Sequence, residues 1–263
     1  MPSRVFWGEY DHFTSMTIGA IFDWDGVVVD SSGPHEESWE RLAAEIGRPL
    51  PERHFERSFG MKNEVIIPEL LGWTEDQEEI GLWSLRKEEL YREIVAERGI
   101  EPLPGVKPFL ERLAEAGISC VIGSSTQRLN ITTTLERLGV ASFFADLVTA
   151  EDVSRGKPDP EVFQVCARRI GANPHECVVF EDAHVGVHAA RAAGMRVVAV
   201  ASTHPRESLT AADRVVDRLD ELEIDDLHGL FRAQRMLGVV GGVSFIGKGF
   251  ALFLVFGSRF LVG

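Results

Sequence analysis

Asp23 and Asp25 stand two residues apart in Ile18-Gly19-Ala20-Ile21-Phe22-Asp23-Trp24-Asp25-Gly26-Val27, at the end of a short apolar run. Carboxylates so spaced can share a displacement reaction: Asp23 as nucleophile or hard-metal ligand, Asp25 as general acid to a leaving oxygen. The apolar run reads as a buried parallel strand, and Gly26 lets the chain turn sharply away from it. In an open α/β sheet, ligands bind beyond the carboxyl ends of the strands, so both acids would face a site. Taken alone, the same residues could simply cap a turn. They do not match a calcium loop, which needs a longer ladder of oxygen ligands.

Three later segments add groups of complementary chemistry. Val121-Ile122-Gly123-Ser124-Ser125-Thr126 ends a strand-like run in hydroxyls. With the neighbouring N–H groups these could hold a phosphoryl oxygen, or Ser124 could cap the next helix. In Arg155-Gly156-Lys157-Pro158, the proline biases Lys157 to an extended backbone. Its ammonium could then offset carboxylates and phosphate, the alternative being a solvated surface lysine. Cys177-Val178-Val179-Phe180 ends in Glu181-Asp182. Magnesium takes one or two carboxylates, so Asp23 with Asp182 would suffice, unless the pair caps the following helix. Each motif alone is ambiguous, but four at strand ends, in an order one sheet edge could gather, are hard to assign to chance.

The elements that would position them follow from periodicity. From Pro34 the pattern turns helical, with further amphipathic pieces over 51–59, 64–71 and 75–97, so residues 31–103 read as a helical insertion. After Pro104-Gly105, helices over 106–116, 128–138, 160–170 and 185–193 alternate with strands over 118–123, 147–149, 177–180, 196–201 and 214–216. That alternation predicts an α/β fold: a doubly wound parallel sheet, its core formed by residues 17–30 and 104–228, with an inserted helical domain. Residues 1–16 are expected to be an N-terminal extension and 229–263 an apolar, Gly-rich tail.

The 263 residues are 44% hydrophobic and 26% charged, a globular balance. A formal charge of −14 argues against nucleic acid or an anionic membrane as partner, leaving a small anionic substrate bound by local positive charge. Cys120, Cys166 and Cys177 have no C-x-x-C spacing and read as small buried hydrophobes of a cytoplasmic or other reducing soluble compartment. No secretory signal is visible over Met1–Thr17.

With four motifs in order over residues 18–227, the sequence resembles the haloacid dehalogenase superfamily of hydrolases, a family with a Rossmann-like core. The insertion resembles the helical cap of its β-phosphoglucomutase-like subgroup, whose histidine and tryptophan spacing His35 and Trp39 share. The resemblance implies a magnesium-dependent phosphatase in which Asp23 attacks phosphorus to form an aspartyl-phosphate. Asp25 would protonate the leaving alkoxide and then activate water. Magnesium would sit on Asp23, the backbone carbonyl of Asp25 and Asp182, with Glu181 nearby, while Ser124 and Lys157 hold the phosphoryl group. Ser125 is expected beside Ser124, and the cap would contact the substrate through His35, Trp39, Gly60, Lys62 and Asn63.

Departures from the family pattern separate its subclasses. Dehalogenases lack an acid at the position of Asp25, and phosphonate hydrolases replace it too. A sugar-phosphate mutase of the subgroup grips a second phosphate through a cap arginine, a position held here by Asn63. Lys62 beside it lacks the guanidinium fork. Hydrolysis of a small phosphorylated metabolite is therefore expected over phosphoryl shuttling, from a monomer. The rival of another class is a non-catalytic binding or membrane-tethered protein, suggested by the apolar stretch Met236–Gly263, although Lys248 near its centre costs about 2.5–3.5 kcal/mol on insertion scales.

Overall fold

The computed structural model describes residues 18–58 and 60–241, with side chains as far as 232. Its centre is β1 (Gly19–Phe22), whose residues alternate between the two sheet faces: Ala20 and Phe22 on one side, Ile21 on the other. Around it lie β2 (Ser119–Gly123), β3 (Phe144–Val148), β4 (Cys177–Glu181), β5 (Arg196–Val200) and β6 (Arg214–Val216). All neighbours pair in parallel, in the order β3-β2-β1-β4-β5-β6. Strand order reverses between β1 and β4, the place where such a sheet opens a crevice for ligands. Phe22 pairs in register with both Ile122 and Phe180, so Asp23, Ser124 and Glu181-Asp182 follow their strands in one row.

Each face of the sheet carries its own core. On one, Phe22 stacks on Phe180 at 4.5 Å between centroids and meets Phe109 of α5 (Val106–Glu115) edge-on at 6.3 Å. On the other, Ile21, Val121 and Val179 pack against α7 (Glu161–Arg169) and α8 (His184–Ala192) through Phe163, Cys166 and Ala190. All three cysteines are free and buried. β3 starts three residues before the predicted 147. Asp146 breaks the apolar pattern there, but on an edge strand its carboxylate can turn outward and pair with Arg169 at 3.1 Å.

The insertion folds as α1 (Ser32–Ile46), α2 (His54–Ser58), α3 (Asn63–Val65), which runs on as a π-helical turn over Ile66–Leu70, and α4 (Gln77–Arg98). It has its own apolar cluster around Trp39, Leu42, Ile67, Trp73 and Ile80. α1 opens two residues before Pro34, since proline is tolerated in a helix's first turn. In the sheet domain α6 (Arg128–Leu135) is shorter than predicted. α9 (Ile224–Gly241) crosses residue 228, where the tail was expected to begin, and its Leu227 and Phe231 are buried in the main core. Among the described residues no helix is long and apolar enough to cross a membrane. The extension 1–16 and most of the apolar stretch 236–263 lie outside the described residues.

Candidate active site

Lys157 organises the buried end of the site. It is 4% exposed, so the surface-lysine alternative does not hold. Its ammonium lies 2.8 Å from Asp23 Oδ2 and donates to Glu181 Oε1 at 2.6 Å. Burial opposes a charged lysine, but the two carboxylates overcome it and raise its pKa. Glu181 is used completely: its other oxygen, Oε2, accepts from the backbone N–H of Asp182 and of Ala183, both at 2.8 Å. It therefore holds Lys157 and the start of α8 in place.

Asp182 is the opposite case. It is fully buried, and neither carboxylate oxygen has a hydrogen-bond partner of normal geometry. Burial, reinforced by the charges of Glu181 and Asp23, raises its pKa well above the ordinary carboxylate value, against a weaker pull from Thr203 and Lys157. Burial likewise pushes Asp23 up to about 8, with Lys157 opposing and Glu181 and Asp25 adding to the rise. Asp23, Glu181 and Asp182 offer oxygens all within 4.8 Å of one another. Three carboxyl groups against one ammonium cannot all be ionised in so buried a space, and this crowding, with Asp182 lacking a hydrogen bond of normal geometry, fits a hard divalent cation. Gly26 makes the close approach possible. It has φ +73°, and a Cβ there would overlap the Asp182 carboxylate.

Gly186 does the same for Glu181, since a Cβ at that position would overlap its carboxylate. Alanine in place of a helical glycine ordinarily stabilises by about 0.5–1 kcal/mol. Here Gly186→Ala is expected to destabilise by about 2 kcal/mol through overpacking. It should also cut turnover at least about tenfold, because Glu181 can no longer seat Lys157. Thermal melting and steady-state rates check both signs.

Asp25 lies beside this cluster in a different environment. Oδ1 accepts from the Ser31 hydroxyl at 2.6 Å and lies 3.2 Å from His35 Nε2, while Oδ2 accepts from the Thr126 hydroxyl. Burial would raise its pKa, but His35 beside it and the bonds from His35, Ser31 and Thr126 hold it at about 2. His35 in turn stacks on Tyr91 at 4.1 Å, and its Nδ1 lies 2.6 Å from Lys87 Nζ. Lys87 is 2% exposed and bonds Glu88 at 3.0 Å, whose carboxylate also accepts from Asn63 at 2.7 Å and from Asn130 of α6. The sheet acid is thus wired to the insertion through α1 and α4.

Asp23, Asp25, His35, Trp39, Gly60, Asn63, Ser124 and Ser125 line one cavity of about 40 Å³, together with Lys87 and Glu88. Ser124 is not a helix cap: α6 starts at Arg128, and the Ser124 hydroxyl accepts from Thr126 N–H at 3.0 Å. Lys62 does not join the lining. Its ammonium donates to the Ala150 and Val153 carbonyls at 2.8 and 2.9 Å, tying the insertion to the loop after β3. Sequence reading missed Ser31, Thr126, Lys87, Glu88 and Asn130. Lys87 had a signal: it falls in the inward stripe Ile80, Ser84, Lys87, Tyr91, Ile94 of α4, where a charge needs a buried partner.

Comparison with known proteins agrees with this geometry. The haloacid dehalogenase-like hydrolase family model matches residues 19–194. The chloroplastic 5-amino-6-(5-phospho-D-ribitylamino)uracil phosphatase of Arabidopsis thaliana is 38% identical over 216 residues, which cover 81% of this chain; the chain spans 57% of that enzyme's length. The β-phosphoglucomutase of Bacillus subtilis is 30% identical over 79% of this chain and 92% of its own. The crystal structure of β-phosphoglucomutase from Clostridium difficile superposes with a TM-score of 0.74 at 26% identity, covering 84% of this chain and all of that one. A six-stranded parallel sheet with motif residues in one row, matched across two thirds of the sequence and across the fold, leaves one assignment: the chain belongs to the haloacid dehalogenase-like hydrolase family.

Proposed function

We propose that the chain is a magnesium-dependent phosphatase that moves the phosphoryl group of a small phosphorylated metabolite first to Asp23 and then to water. The observation that carries this reading is the contrast around Lys157: Asp23 and Glu181 share its ammonium, while neither oxygen of buried Asp182 makes a hydrogen bond of normal geometry. Magnesium held by Asp23, Asp182 and the Asp25 carbonyl would supply the missing charge and polarise the phosphoryl oxygens.

In the first step an Asp23 oxygen bonds to phosphorus, the ester P–O bond breaks, and Asp25 gives its proton to the departing alkoxide. Lys157, Ser124 and the N–H groups after β2 hold the equatorial oxygens. In the second step water attacks phosphorus, Asp25 takes the proton, and Asp23 leaves as a carboxylate. Asp25 is held by Ser31, His35 and Thr126 in the ionised form that suits this second step. To enter the first step protonated it must loosen those bonds when substrate binds.

The similarity to β-phosphoglucomutases supports a second reading, phosphoryl transfer between hydroxyls of one sugar. The distal wall disfavours it. Asn63 stands where the mutase arginine is expected and bonds the Glu88 carboxylate, and Lys62 is spent on backbone carbonyls. A second phosphate there would meet the Asn63 amide and the Glu88 carboxylate, and the cation beside them, Lys87, is already engaged by Glu88 and His35. The plant relative's name suggests 5-amino-6-(5-phospho-D-ribitylamino)uracil as substrate. The three free thiols suit a reducing compartment. Phosphate release from a panel of sugar and ribityl phosphates, with magnesium and with a chelator, tests the reading. Magnesium-dependent release supports it; isomerisation of a hexose 1-phosphate without release replaces it with the mutase.

A further inference from the structure

The cavity over Asp23 is narrow, about 40 Å³, and Asp23, Ser124 and Ser125 at its floor are the groups a phosphoryl group would meet. A second, wider groove of about 460 Å³ adjoins it, lined by Glu56, Arg57, Met61, Glu69, His184 and His204 among others. Met61 lines both. Gly60, with φ +83°, lies so close to α8 that a Cβ would come within 3.2 Å of Ala183 and 3.3 Å of Val185. The Gly60-Met61 turn is therefore the partition between the two spaces, and methionine is the side chain best able to yield there.

The far side of the partition has a definite chemistry. His184 opens α8 two residues after Asp182, and its ring stacks on His204 at 4.7 Å, the planes 24° apart. Two parallel imidazoles make a π-surface beside apolar Met61, Leu70 and Val185. Arg57 brings donors to the groove, Glu56 and Glu69 acceptors. Acids and a base together suit a neutral planar ring with hydrogen-bond donors and acceptors on its edge better than a second anion.

Building on the phosphatase reading above, we propose that this groove is the subsite for the leaving-group end of the substrate, and that the end it takes is a planar nitrogen heterocycle on a flexible hydroxylated chain. The phosphate enters the inner cavity, the chain passes Met61, and the ring lies on the His184–His204 pair. Base–aromatic stacking of this kind discriminates by about tenfold or more.

The test compares kcat/KM for 5-amino-6-(5-phospho-D-ribitylamino)uracil and for ribitol 5-phosphate, which share the phosphate and chain and differ in the ring. The native chain should prefer the ring-bearing substrate by at least about tenfold. His204→Ala should reduce the ratio of the two constants to about two or less, and His204→Phe, which keeps a π-face, should restore most of it. Equal efficiency of the native chain on both compounds, or a ratio untouched by His204→Ala, overturns the subsite and leaves the phosphatase intact. Release from neither, with release from other sugar phosphates, overturns the subsite alone; release from no phosphate ester overturns the phosphatase and the subsite with it.

Discussion

Asp23→Asn is expected to lower phosphate release by at least about 10⁴-fold while leaving a folded protein. The amide keeps the shape of the side chain but is a poor nucleophile, and removing an attacking group costs losses of that order because no other residue reaches the same point. The fold should survive, because Lys157 keeps its 2.6 Å bond to Glu181, the new amide oxygen can still accept from the ammonium, and the buried cluster holds one carboxylate fewer. Circular dichroism melting beside phosphate release separates the two effects. Residual turnover within about tenfold of the native rate would remove Asp23 from the reaction.

The second large effect is one of opposite signs. Asp182→Asn should stabilise the metal-free protein by about 1–3 kcal/mol, since an orphaned buried carboxylate becomes a neutral amide. It should also abolish the stabilisation that magnesium gives the native chain, about 2.7 kcal/mol at a hundredfold excess over Kd, and cut turnover by at least about 10²-fold. A pH dependence follows. Asp182 and Asp23 have pKa values raised in the folded state, so the folded protein binds more protons than the unfolded chain between the ordinary carboxylate value and the raised one. Stability without metal must therefore fall as pH rises from about 4 toward 8. Asp25, held low at about 2, acts in the other direction only below about pH 4, where its contribution is lost on acidification. Melting temperatures of the native chain and Asp182→Asn, with magnesium and with chelator at pH 5 and pH 8, check every sign. A variant less stable than the native chain without metal would show that Asp182 is satisfied by something other than a cation.

What the sequence made legible was whatever depends on local pattern. The strand before Asp23, the helix–strand alternation after Pro104 and the helical insertion follow from hydrophobic periodicity and punctuation, and the sheet order places the motifs in one row. Long-range pairing was not legible. Thr126 reaches Asp25 across 101 residues, Asn130 reaches Glu88 across 42, and Lys62 reaches Ala150 across 88; nothing in spacing announces such contacts. Lys62 shows how little sequence neighbours say of a side chain's partners: it stands beside Asn63, yet its ammonium bonds two carbonyls of a loop some ninety residues on. The start of β3 at Phe144 was hidden because Asp146 belongs to an edge strand, and α9 because its early acids obscure the apolar positions Leu227 and Phe231.

The central claim is that the phosphoryl group rests on Asp23 between leaving the substrate and reaching water. Rapid quench of the native chain with a phosphorus-labelled ribityl phosphate, followed by peptide mapping, tests it directly. The account predicts a hydroxylamine-sensitive label on the peptide that contains Asp23, formed within the first turnover and absent with chelator or in Asp23→Asn. Label on another residue, or steady phosphate release by Asp23→Asn, would contradict it.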